Sequence, residues 1–277
     1  MPQEKEPLIL ADGHVHIHEC FDRQAFFKAA LSNFYLAAAQ ERAEDRYQSV
    51  LFLTEGQGRE IFPLFSQSGP GSGYDPLPGW SFRKTREADS LVARNRLGQE
   101  LFLIAGYQIV TTEGLEVLAL GATRRDHLDG RPFREVIRIL DDQGGLPVVP
   151  WGFGKWTGRR GALLRKFLSG PVQNPFFLGD NSGRPGFIPP PALFSIGVKK
   201  GILILPGSDP LPFPSETQRP GGFGFSLTGS LDPERPSREI KELLLDPAVK
   251  LKPYGRLETT ARFLRNQWKM QLQKHFP

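Results

Sequence analysis

Apolar residues recur along the chain in short unbroken runs separated by stretches of helical period. The runs fall at 8–11, 50–53, 101–105, 115–120, 146–149, 176–178 and 202–205. Continuous rather than alternating runs are expected of strands buried on both faces of a mostly parallel sheet. Between them, Phe27, Leu31, Phe34 and Ala38 recur at helical spacing within 22–45, and Phe133, Val136, Ile137 and Leu140 do so ahead of a Gly144-Gly145 stop. Further helices are predicted over 159–168, from Ser237 as N-cap to Leu245, and near the C-terminus, where Ala261, Leu264 and Trp268 share a face. Tyr107–Val110 and Leu115–Leu120 flank Thr-Thr-Glu-Gly and predict a hairpin or a sharp corner attached to the preceding strand. Segments 63–80, 185–191 and 206–224 hold too many Pro and Gly for regular structure and read as loops. The alternation of strand and helix favours an α/β fold, with a distorted barrel and an open doubly wound sheet in competition. No linker divides the chain, so 1–277 reads as one domain with a C-terminal helical extension from about residue 256.

Composition narrows the class without naming a chemistry. With 277 residues, 39% hydrophobic and 23% charged, the chain reads as an ordinary globular protein. Its net charge of +5 is small for a nucleic-acid-coating protein. The single cysteine, Cys20, excludes an internal disulfide. No apolar run approaches the ~18 residues of a membrane span, and the first residues lack the layout of a signal peptide, so a cytoplasmic protein without membrane contact is expected.

The candidate chemistry begins at Asp12-Gly13-His14-Val15-His16, directly after the first apolar run. Alternate residues of a strand share a face, so His14 and His16 point the same way and suit one divalent cation. His18 continues the alternation into the following loop. The competing reading is of surface or packing histidines. Phosphate-loop, dinucleotide and Gly-x-Ser-x-Gly patterns are lacking, and Cys20 has no partner set for a thiol nucleophile.

The Asp-Gly-His-Val-His element resembles the first motif of the PHP (polymerase and histidinol phosphatase) superfamily. Ala105-Gly106-Tyr107-Gln108-Ile109 with Glu113–Gly121, and then Leu205-Pro206-Gly207-Ser208-Asp209, resemble later PHP motifs in order and spacing. The resemblance implies an α/β fold of the PHP-like distorted (β/α)7 barrel type, with a metal centre at its strand ends serving phosphoester hydrolysis. The chain departs from that pattern at three places. Gln108 stands where a ligating Glu is implied, Val149-Pro150-Trp151 where His-Pro is, and Pro210-Leu211 where a terminal His is. With His127 and His275 as the other histidines, a histidine-rich three-metal centre is excluded, and one divalent metal ion (Zn, Mn or Fe) on His14, His16 and Asp209 is expected. Glu19, Glu55 and Asp180 are possible additions.

Beside the metal, Asp209 or Glu55 would take a proton from water as the catalytic group. Arg59, Lys155 and Arg184 each follow a candidate strand, and with Asp180 they form the expected substrate-binding set. Segment 151–170 holds Lys155, Arg159, Arg160, Arg165 and Lys166 and no acidic residue, which suits an anion. The expectation is a metal-dependent hydrolase of a small phosphate- or carboxylate-bearing ligand, most simply a phosphoester, with nucleic acid not expected as a partner. The alternative is a catalytically degenerate PHP-like barrel that binds a ligand or a protein.

Overall fold

The unbroken apolar runs become the central strands of two sheets in a computed structural model that describes residues 6–56, 58, 60–68, 74–123 and 128–275. In chain order the elements are β1 (Leu8–Val15), α1 (Arg23–Gln40), β2 (Tyr47–Leu53), α2 (Ile61–Ser66), β3 (Trp80–Lys84), β4 (Ser90–Asn95), β5 (Glu100–Ile104), β6 (Gly106–Val110), β7 (Glu116–Leu120), α3 (Phe133–Asp142), β8 (Leu146–Pro150), α4 (Gly158–Ser169), β9 (Phe177–Asn181), α5 (Ala192–Val198), β10 (Ile204–Gly207), β11 (Phe223–Thr228), α6 (Pro236–Leu245), β12 (Lys252–Gly255) and α7 (Thr260–His275). One sheet runs β12-β11-β1-β2-β5-β4-β3 and the other β10-β9-β8-β7-β6. Parallel pairing is confined to β1–β2–β5 and β8–β9–β10; the remaining pairs are antiparallel.

Three apolar clusters make the layers. Ile9, Val50, Phe52, Leu118, Val148, Phe177 and Phe225 fill the space between the sheets. On the outer side of the larger sheet, Phe26, Phe27 and Phe34 of α1 pack on Leu10, Leu51 and Leu103. The smaller sheet is covered by α3, α4 and α5 through Phe133, Ile137, Leu164 and Phe194. Because each central strand is covered on both faces, its sequence is apolar without alternation. Helix α1 starts where the Asp22 carboxylate accepts the Ala25 N–H at 2.8 Å. No helix among the described residues is long and apolar enough to cross a membrane.

The sheets approach each other at two edges, each made possible by a glycine. At the β10/β1 edge the Asp209 N–H donates to the His14 carbonyl at 2.8 Å, and a Cβ on Gly207 would lie 2.3 Å from the His14 nitrogen. At the other edge Glu55, just past β2, forms a single parallel bridge with Tyr107 of β6, and a Cβ on Gly106 would lie 2.5 Å from the Leu53 carbonyl. Only glycine tolerates such approaches.

The expected distorted (β/α)7 barrel holds at the level of a mixed α/β fold, built as two sheets. No continuous ladder closes them among the described residues. The physical reason is the β6–β7 hairpin and the β3–β4–β5 meander, which replace helical crossovers by antiparallel returns. Two local expectations also change. Residues 61–66, partly within an expected loop, form α2, with Pro63 in its first turn, where a missing N–H costs nothing. Ser237 lies inside α6 rather than at its cap, and the Glu87 carboxylate accepts the Ser237 and Arg238 N–H groups at 2.9 and 2.8 Å.

Gly207→Ala is expected to lower stability by about 1–3 kcal/mol or more through overpacking against β1. Gly170→Ala, whose added Cβ meets nothing nearer than 3.6 Å, should stay within about 0.5 kcal/mol of wild type. Urea denaturation compares the two, and equal stabilities would refute the tight β10/β1 contact.

Candidate metal centre

The end of β1 is shaped by a carboxylate that never reaches solvent. Asp12 is fully buried and accepts backbone N–H groups from Ser208 and Gly221 at 2.8 Å each and from His14 at 3.3 Å. Burial pushes its carboxyl up to about 7, against hydrogen bonds that favour the charge. Strand alternation then turns His14 and His16 to one side, with their Nε2 atoms 3.0 Å apart. Asp209 arrives from β10 with a left-handed backbone (φ 44°), a conformation that Asp tolerates better than most residues and that marks a constrained position. Its Oδ1 lies 3.5 Å from each imidazole Nε2, while Oδ2 accepts from Asn181 Nδ2 at 2.9 Å.

His14, His16 and Asp209 are the one group of three or more metal-type ligands whose donor atoms converge among the described residues, all within 4.8 Å of one another. Four ligands at about 2.0–2.1 Å from a tetrahedral ion lie about 3.3 Å from each other. Separations of 3.0, 3.5 and 3.5 Å therefore approximate one face of such a tetrahedron. The protonation states fit as well. Burial, above all, lowers both histidines, and for His16, which comes down to about 4, the neighbouring His14 adds to the effect. Burial alone would raise Asp209, but the nearby His14, His16, Lys155 and Arg219 outweigh it and hold the carboxyl below its ordinary range. Near neutral pH the site thus offers two neutral imidazoles and a carboxylate, the forms that ligate a cation.

The cluster opens onto a cavity of about 320 Å³ whose wall also includes Glu55, Gln108, Glu116, Trp151, Lys155 and Met270. Glu55 reaches it from the end of β2, its Oε1 accepting the Phe62 N–H at 2.5 Å. Lys155 is present, but its Nζ donates to Glu116 at 2.5 Å, a partner that sequence reasoning missed. His18 lines the cavity with its Nε2 2.9 Å from the Pro210 carbonyl. Glu19 is exposed and outside the converging group.

Asp180 and Arg184 do not join the cavity wall. They are buried against each other in a two-pronged ion pair at 2.9 and 2.7 Å, with Arg184 also donating to the Ile188 carbonyl. Neighbours on a strand face opposite ways, and Asp180 lies on the side of β9 turned from the cavity. Asn181, the next residue, faces the site and joins Asp209 to the Trp151 carbonyl. Arg59, the remaining expected substrate contact, lies outside the described residues.

No protein-family model and no curated protein matches the chain. Solved structures do. PsfC from Pseudomonas syringae aligns with TM-score 0.51 and 15% identity over 96% of this chain and 99% of that one. The lesion-specific endonuclease Q of Pyrococcus furiosus aligns with TM-score 0.50 and 14% identity over 90% of this chain, which spans 59% of that one. A complex of endonuclease Q with a 27-mer duplex, an abasic lesion at its active site, aligns with TM-score 0.50 and 13% identity over 94% and 67%. At 13–15% identity these likenesses show a shared fold and extend no further than fold. They overturn the expectation of a small anionic ligand with nucleic acid set aside, because a protein of similar fold carries duplex DNA at its active site.

The lowered His16 sets a pH dependence. An imidazole that titrates at about 4 when folded and 6.5 when unfolded contributes stability that is fully present above pH 6.5 and is lost as pH falls toward 4. Wild type should lose about 3 kcal/mol more than His16→Gln across that interval, taking ~1.4 kcal/mol per pH unit. The His16 ring resonances of metal-free protein should titrate near pH 4. A midpoint near 6.5 would refute the buried neutral imidazole.

Proposed function

We propose that the chain is a PHP-like, metal-dependent phosphoesterase acting on phosphodiester bonds of nucleic acid. The observation that carries the hydrolase reading is the convergence of His14, His16 and Asp209 on one cavity. Nucleic acid as substrate draws support from the fold likeness to endonuclease Q.

His14, His16 and Asp209 would hold one divalent ion, Zn, Mn or Fe, leaving a position for solvent or substrate. Such an ion supplies Lewis-acid polarisation and makes a neighbouring water more acidic. The chain's own residues do the rest. Asp209, with one oxygen toward the imidazoles and the other held by Asn181, serves as ligand, and Glu55, a carboxylate at the cavity wall, is the group that removes a proton from water. Asn181 fixes the Asp209 carboxylate so that Oδ1 stays on the imidazole side. Lys155 places a cation at the cavity wall, where a substrate phosphate competes with Glu116 for it. One observation favours the second reading, binding without turnover: Gln108 brings a neutral amide to the wall where the resemblance implies a ligating Glu.

Elemental analysis of metal-reconstituted protein should find about one equivalent of Zn, Mn or Fe, lost in the His14→Ala/His16→Ala double variant. Asn181→Ala should weaken metal binding about 10–100-fold without unfolding the chain. Glu55→Gln should slow cleavage of a labelled oligonucleotide about 100-fold or more while metal content is kept. A metal-loaded chain that cleaves no phosphodiester would decide for the binding reading, and absence of metal under every loading condition would remove both the centre and the hydrolase.

A further inference from the structure

Surface helices ordinarily turn their apolar residues inward. Helix α7 also turns three large apolar residues outward. Its inward side carries Asn266, only 2% exposed and donating to the Glu216 and Glu258 carboxylates, together with Phe263 and Met270. Its outward side carries Leu264, Trp268 and Leu272, one helical turn apart and 60, 66 and 40% exposed. The inner packing leaves this outer stripe largely exposed.

The charge beside the stripe has one sign. Residues 260–275 contain Arg262, Arg265, Lys269 and Lys274 and no acidic residue. Arg265 and Lys269 form no ion pair with a described carboxylate, and the Lys269 Nζ lies 5.4 Å from the Phe213 ring centre. The helix also borders the metal cavity through Met270. On the neighbouring loop, Phe153 is 55% exposed and meets Phe263 edge-on, centroids 5.1 Å apart, where the acid-free segment 151–170 begins.

A second copy of the chain, docked helix to helix, would set Arg265 and Lys269 against like charges. A polyanion that also offers flat apolar faces satisfies both the stripe and the charge. We propose that the outer face of α7 is a track for a single strand of nucleic acid, with Trp268 stacking on a base and Arg265 and Lys269 meeting its phosphates, leading toward the His14–His16–Asp209 cavity. The inference rests on the nucleic-acid reading above and gives that substrate a path and a strandedness. Stacking on an aromatic face accepts any base, so the track is tolerant of sequence.

The test is fluorescence anisotropy of a labelled oligopyrimidine single strand against the full chain, with light scattering for oligomeric state. Trp268→Ala should weaken binding about tenfold. Arg265→Gln/Lys269→Gln should make the slope of log affinity against log salt shallower by about 1.4. Single-strand binding by wild type that neither variant alters would overturn the track and leave the nucleic-acid reading standing. If wild type binds neither the strand nor its duplex, the nucleic-acid reading falls and the track with it. A dimer that Trp268→Ala dissolves, with strand affinity unchanged, would assign the stripe to a second copy and likewise overturn the track.

Discussion

The buried carboxylate of Asp12 is the constraint on which the site depends. It gathers N–H groups from three separate stretches of chain: His14 in β1, Ser208 after β10, and Gly221 ahead of β11. Without it, three buried donors would lose their acceptor, and each unmade bond of that kind costs about 1–3 kcal/mol. Asp12 is not itself a ligand in the converging group, yet it sets where His14 and Asp209 stand, because it holds the backbone N–H of His14 and that of Ser208, the residue before Asp209. Burial opposes the Asp12 charge and these bonds favour it, and burial outweighs them, leaving the carboxyl at about 7.

The approach of the two sheets extends this constraint into a cavity. Gly207 lets β10 press on β1 until the Asp209 N–H meets the His14 carbonyl, and Gly106 lets β6 reach the end of β2. The two edges bring Glu55, Gln108 and Asp209 to one opening from elements far apart in sequence. Cavity shape and ligand placement therefore share one cause, and a change at either edge moves both.

The legible parts of the sequence were those with a strong local signal. The unbroken runs of β1, β2, β5, β8 and β10 declare buried strands, and the Thr-Thr-Glu-Gly turn declares the β6–β7 hairpin. Strand β3 escaped because Trp-Ser-Phe-Arg-Lys sits at the sheet edge with one buried residue, and β11 because it emerges from a Pro/Gly-rich stretch. At the site, strand parity sets His14 and His16 on one side of β1, and the same parity separates Asp180 from Asn181 on β9. The Asp180–Arg184 pair shows the other limit: a sequence cannot say that two nearby opposite charges, four residues apart, will pair with each other instead of facing a substrate.

The seating of α7 is an ionic problem rather than a hydrophobic one. Glu216, fully buried, and Glu258 face Arg219 and Arg262, with Arg219 2.6 Å from Glu258 and also bonded to Ser182, and Arg262 2.9 Å from Glu216. Two carboxylates and two guanidiniums balance, so no net charge is buried there. Such clusters give little net stability over apolar packing of the same volume, but losing one member leaves its partners uncompensated and costs several kcal/mol. An apolar interface tolerates sliding, whereas guanidiniums that each lie between two carboxylates admit few registers. That selectivity favours one position of α7 over the cavity, with Met270 at its wall and Trp268 turned to solvent, and so sets the outer stripe of the helix beside the cavity that His14, His16 and Asp209 line.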